Sequence, residues 1–158
     1  MLKVLTVALI SSFGFALALS SSNVGISYAK PGEVAIVNLE VQNAPNVLFN
    51  RKGTTMFTLS NPFGKALTQG LPAGIKDKTE PDVYYSSIKP LEFKLKIPKT
   101  AKPGVYPLNL EVSFYLCDTN IRVCYAEKAM AKAELRVGQV GKNTSVVMKL
   151  EGGGLQIR

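Results

Sequence analysis

The sequence predicts an all-β chain folded as an antiparallel sandwich. Two observations carry this reading. Apolar residues recur at every second position over long stretches, and Pro and Gly cut the chain into short segments between them. A third is bulk: of 158 residues 46% are hydrophobic and only 19% are charged, which suffices for one sizeable core.

The elements follow in order. Val24 to Tyr28 is a first short strand, closed by the turn Lys30-Pro31-Gly32-Glu33. From Glu33 to Val41, Val34, Ile36 and Asn38 take one side, and Ala35, Val37, Leu39 and Val41 take the other. Met56 to Leu59 is a further short strand. Residues 60–90 hold Pro62, Gly64, Gly70, Pro72, Gly74, Pro81 and Pro90, and read as a loop, long enough to be functional. In the next strand Leu91, Phe93, Leu95 and Ile97 face the core, while Glu92, Lys94 and Lys96 face water; Pro98 ends it. Beyond the turn at Pro103-Gly104, Leu108, Leu110, Val112, Phe114 and Leu116 form a second inward row. Glu127 to Val137 is rich in helix formers. Yet Ala129, Ala131, Ala133, Leu135 and Val137 alternate with polar residues and Met130, so it reads as an edge strand whose lysines discourage other chains from pairing. Residues 139–158 form a C-terminal tail in which Val146 to Leu150 allow one extra strand and the glycines from Gly152 predict fraying.

Residues 1–20 read as a secretory signal peptide: Lys3, an apolar run from Val4 to Leu19, and the small-x-small site Ala16-Leu17-Ala18. The run falls short of the roughly 20 residues that span a bilayer. No later run comes near that length, so the chain from residue 21 is expected to hold no transmembrane segment. Residues 21–138 form the expected domain, exported to the periplasm or another extracytoplasmic space where disulfides persist.

Absences bound the chemistry. Without His there is no Ser-His or Cys-His nucleophile and no imidazole metal site. Two cysteines cannot make a four-Cys zinc site. Neither phosphate-binding glycine motif occurs. Met56, Met130 and Met148 are too scattered to suggest copper. No metal or cofactor is expected. The formal net charge of +8 comes from dispersed lysines, which read as a solvated surface rather than a nucleic-acid site.

The two cysteines are the candidate site. Asp118, Thr119 and Asn120 are turn residues between Cys117 and Cys124. A hairpin centred between Asn120 and Ile121 sets the two cysteines directly opposite, at about 4.5–5.5 Å between Cα atoms. A disulfide bridges such a gap. The ring it closes has about eight residues and stabilises by roughly 2.5 kcal/mol, so the fold should survive reduction. Cys117 has the parity opposite to Leu116, which points both cysteines outward, where a thiolate can reach them. Phe114 and Tyr125 are expected nearby, with Tyr84 on a covering loop between Leu71 and Pro90. Arg122 and Lys128 are flanking cations that favour a thiolate, and Asp118 opposes them. From the residues alone two readings stay open. One is a reversible exchange bridge with Cys117 and Cys124 as its reactive pair. The other is a structural staple in a binding or assembly module.

The run Leu110-Glu111-Val112-Ser113-Phe114-Tyr115-Leu116-Cys117, with Cys124-Tyr125 after it and Pro103-Gly104-Val105-Tyr106 before it, resembles the amino-terminal (alpha) domain of the thiol:disulfide interchange protein DsbD. Leu71-Pro72-Ala73-Gly74 and Asp82-Val83-Tyr84 are similar to it as well, and the likeness spans roughly residues 25–137. The six-residue gap between the cysteines is longer than that family's, and Ile75 to Asp82 lacks the aromatic residue of its covering loop. The resemblance implies an immunoglobulin-like sandwich whose cysteine pair passes electrons between thioredoxin-like partners.

Overall fold

A computed structural model describes residues 21–150. The signal-peptide reading of residues 1–20 and the fraying expected from Gly152 onward lie outside the described residues. Twelve strands follow one another, with no helix among the described residues: β1 (Ser21–Asn23), β2 (Gly25–Ala29), β3 (Val34–Asn43), β4 (Val47–Asn50), β5 (Met56–Asn61), β6 (Gly64–Gln69), β7 (Gly74–Lys76), β8 (Tyr84–Ile88), β9 (Leu91–Lys96), β10 (Gly104–Asp118), β11 (Val123–Val137) and β12 (Val146–Leu150). One sheet runs β1-β12-β3-β9. The larger sheet runs β2-β11-β10-β4-β8-β7, with β5 also on β10 and β6 on β5. The two curl into a sandwich consistent with the expected immunoglobulin-like class.

The alternating rows are the inner faces. Ala35, Val37, Leu39 and Val41 of β3 are buried, as are Leu91, Phe93 and Leu95 of β9 with Ile97 just beyond it. Facing them stand Leu108 to Leu116 of β10 and Ala129 to Val137 of β11. Phe114 lies at the centre, edge-on to Phe49 at 5.3 Å and to Phe57 at 5.5 Å between ring centroids. The small alanines of β11 let the opposite sheet approach closely, which explains why a segment of high helix propensity is held as a strand: its alternate face is needed for the core.

Four expectations need correction. The sandwich is not purely antiparallel, because β11 pairs parallel with β2 and β12 pairs parallel with β3. Local periodicity does not record a partner's direction. Residues 60–90 are not mostly loop but carry β6, β7 and β8. The β6 strand escapes notice because almost all of it is exposed, so it has no buried face to write an alternation. Segment Val47 to Asn50, read as no element, is β4; Val47, Leu48 and Phe49 are buried on both faces and give a continuous apolar run. Finally, β11 is an edge only in its first part, since Ala133–Val137 pair with β2.

The outer edge of β2 is closed by side chains. Ile26 N donates to Thr144 Oγ1 at 2.8 Å and Tyr28 N donates to Asn143 Oδ1 at 2.9 Å, while Thr144 N donates back to Ile26 O. Asn143 and Thr144 thus cap an edge strand.

Candidate functional site

The long hairpin of β10 and β11 builds the site. Its register is unbroken from Gly104 opposite Val137 to Asp118 opposite Val123, and Cys117 faces Cys124. The two form a disulfide with Cα atoms 4.0 Å apart. Turn residues 119–122 close the hairpin, with Asp118 Oδ1 accepting Asn120 N at 2.9 Å.

Both cysteines lie on the outer face, as parity requires, but they are not equally open. Cys124 is exposed, whereas Cys117 keeps only 5% of its surface. The expectation that both are outward and accessible is corrected here for Cys117. On its far side β10 pairs with β4, which sets Leu48 beside Cys117 and brings Asn50 Nδ2 to 3.8 Å from its Sγ. Parity gives the face of a residue and is silent about a neighbouring strand's side chains that cover it.

A second layer comes from the connection between β7 and β8. Asp77 Oδ2 accepts the backbone N–H groups of Thr79 and Glu80 at 2.8 and 2.9 Å. Arg51 Nη1 donates to Pro81 O at 2.6 Å, its guanidinium lies over the Tyr85 ring at 4.7 Å, and Arg51 N donates to Val83 O. This segment is therefore tied down at both ends. It carries Glu80 to the rim of the bridge and Tyr84 Oη to 4.0 Å from Cys124 Sγ. A disulfide sulfur has no proton, so the hydroxyl is the donor in that contact. Arg122, at the hairpin tip, reaches the same rim. A cavity of about 330 Å³ lies between them, open to solvent beside the bridge.

Two expected neighbours lie elsewhere. Phe114 and Tyr125 have the opposite parity, so both point to the inner face: Phe114 is in the core, and Tyr125 is half-buried against it. Burial pushes the Tyr125 phenol above its usual range, helped by the charges of Glu127 and Asp118. Lys128 pairs across to Ser113, four residues down the strand from Cys124. Sequence reasoning missed Leu48, Asn50 and Glu80. Nothing local links the first two to a cysteine almost seventy residues away. Glu80 had a signal, since it lies in the Pro-broken stretch that reads as a cover.

Asp118 is buried beside the bridge and accepts Asn46 Nδ2 at 2.9 Å. That side-chain hydrogen bond, opposed by burial and aided by the N–H groups of Asn120 and Ile121, holds its carboxyl below the usual carboxylate range. A depressed folded pKa means stability that is present above the unfolded value, about 3.9, and lost as pH falls through the folded one. Acid titration followed by circular dichroism should show the protein losing stability below about pH 4. Asp118→Asn should lose less over that range; an equal loss would remove Asp118 from the acid response.

The described residues hold no cluster of three or more His, Cys, Asp or Glu side chains able to bind a metal, and no helix long and apolar enough to cross a membrane. Comparison of the chain with protein-family models and with curated proteins finds no match to either.

Proposed function

We propose that this protein is an exported thiol–disulfide exchange module that passes electrons through a reversible Cys117–Cys124 bridge, with a thioredoxin-like protein as one partner. The observation that carries the reading is the asymmetry of the bridge: both cysteines line one cavity, but Cys124 is exposed there while Cys117 is buried beside β4. A purely structural staple does more by joining distant strands than by closing a ring of about eight residues. The bridge also fits an extracytoplasmic setting, where such bonds persist.

The unequal exposure of the two cysteines favours attack at Cys124. An incoming thiolate meets Cys124 Sγ, forms a mixed disulfide there and expels Cys117 as a thiolate. The leaving thiolate is the harder charge to accommodate, since Cys117 is buried and Asp118 is adjacent. Asn50 Nδ2 is the donor placed to stabilise it. Asn50→Ala should slow reduction of the bridge by a small thiol by about three- to tenfold, in keeping with the loss of a hydrogen bond to a charged group made at long range. An unchanged rate would take Asn50 out of the mechanism.

The reduction potential tests the function as a whole. A value between about −120 and −270 mV, the range of exchange-active pairs, supports the proposal. One below about −300 mV overturns it in favour of a binding or assembly module with a structural hairpin bridge.

A further inference from the structure

The cavity beside Cys124 is lined by three charged side chains, Glu80, Asp118 and Arg122. Arg122 and Glu80 both line it and both are exposed, and neither side chain has an ion-pair or hydrogen-bond partner among the described residues. Other charges near this end are engaged: Asp118 with Asn46, and Arg51 with Pro81 and Tyr85. The backbone adds a second indication. Arg122 sits at φ 55°, in the left-handed region that Gly or Asn occupies at lower cost. This turn conformation holds Arg122 at the rim of the cavity. Leu48 and Val123 add apolar lining, and the volume of about 330 Å³ lies within the range of small-molecule sites.

We propose that this cavity binds a low-molecular-weight aminothiol, a molecule that carries a carboxylate and an ammonium group on the same small frame as its sulfur, as free cysteine does. The inference rests on the exchange reading of the bridge and names one of its two redox partners. The carboxylate pairs with Arg122, the ammonium with Glu80, and the thiolate is delivered to Cys124 Sγ. A bond forms between the small thiol's sulfur and Cys124, the Cys117–Cys124 bond breaks, and its electron pair leaves on Cys117, which takes a proton from water. A second aminothiol then attacks the small-molecule sulfur of the mixed disulfide. It releases the symmetric small disulfide and leaves Cys124 as the thiolate. Two thiols are oxidised and one protein disulfide is reduced. Excess small disulfide drives the same steps backwards.

The test measures reduction of the oxidised protein by L-cysteine, cysteamine, N-acetylcysteine and 2-mercaptoethanol, followed by intact mass. Each rate is divided by the same thiol's rate with an unstructured disulfide peptide, which removes differences in intrinsic reactivity. Cysteine should lead. Losing the carboxylate, in cysteamine, or the free ammonium, in N-acetylcysteine, should cost about threefold each, as for exposed ion pairs, and 2-mercaptoethanol should trail by about tenfold. Arg122→Asn, which tolerates the left-handed backbone, should erase the gap between cysteine and cysteamine only. Glu80→Gln should erase the gap between cysteine and N-acetylcysteine only. Normalised rates equal within about twofold, or a preference that survives both substitutions, overturn the inference while leaving the exchange reading in place. A bridge that no thiol opens in the folded protein overturns both.

Discussion

Cys117→Ser and Cys124→Ser are expected to behave as opposites. Cys117→Ser leaves an exposed thiol at position 124, next to the open cavity. It should be alkylated readily, and it should trap a thioredoxin-like protein as a lasting mixed disulfide, because no second thiol remains to resolve it. Cys124→Ser leaves the thiol of Cys117 on the same cavity, but with only 5% of the residue exposed and Leu48 opposite it on β4. Attack there is expected to need local opening of the strand edges, and an opening free energy of only about 1.4 kcal/mol already slows reaction tenfold. Alkylation of the Cys124→Ser variant should therefore be at least about tenfold slower, and no trapped adduct should accumulate. Equal alkylation rates, or trapping through Cys117 instead, would sink the assignment of Cys124 as the attacked sulfur.

Phe114→Ala is expected to be the most damaging single truncation near the site. Phe114 is 1% exposed, and removing its ring deprives both Phe49 and Phe57 of their edge-on partner at the point where β4, β5 and β10 meet. Large-to-small changes of this kind cost about 3–5 kcal/mol when the cavity cannot collapse. Total stabilities of about 5–15 kcal/mol make that a large share. The midpoint of urea unfolding should fall accordingly with an unchanged slope. A loss under about 1.5 kcal/mol would mean that the three rings do not form the packed centre. Phe114 itself lies on the opposite face of β10 from the bridge.

What was legible in the sequence follows from which faces are buried. Where a strand has one wet and one dry face, as in Leu91–Ile97 and Leu108–Leu116, the alternation is written plainly and the structure reproduces it residue by residue. The hairpin register was also legible, because two turn-flanked strands leave one pairing that brings the cysteines together. Strands that bury both faces or neither leave no such record; β4 is the first kind and β6 the second. At the site the same limit appears in sharper form. The sequence assigned the cysteines to the outer face, but the unequal cover over that face comes from Leu48, Asn50 and Tyr84, contributed by segments far away in the chain.

The position of β12 has a consequence for how the protein comes to be folded. In its sheet it is an interior strand, between β1 and β3, yet it is the last strand of the described chain to be synthesised. Until residues 146–150 arrive, β1 has no partner in that sheet, and one edge of β3 has no neighbour. The β10–β11 hairpin has no such wait, since its strands are joined by four residues and pair at once over fifteen positions each. The β10–β11 hairpin, and with it the cysteine pair, is thus expected to form early, as is the shorter β5–β6 hairpin. The smaller sheet is expected to close late, when its final strand inserts between β1 and β3. Loop closure across most of the chain precedes any gain from that insertion, so refolding should be slow for a domain of this size.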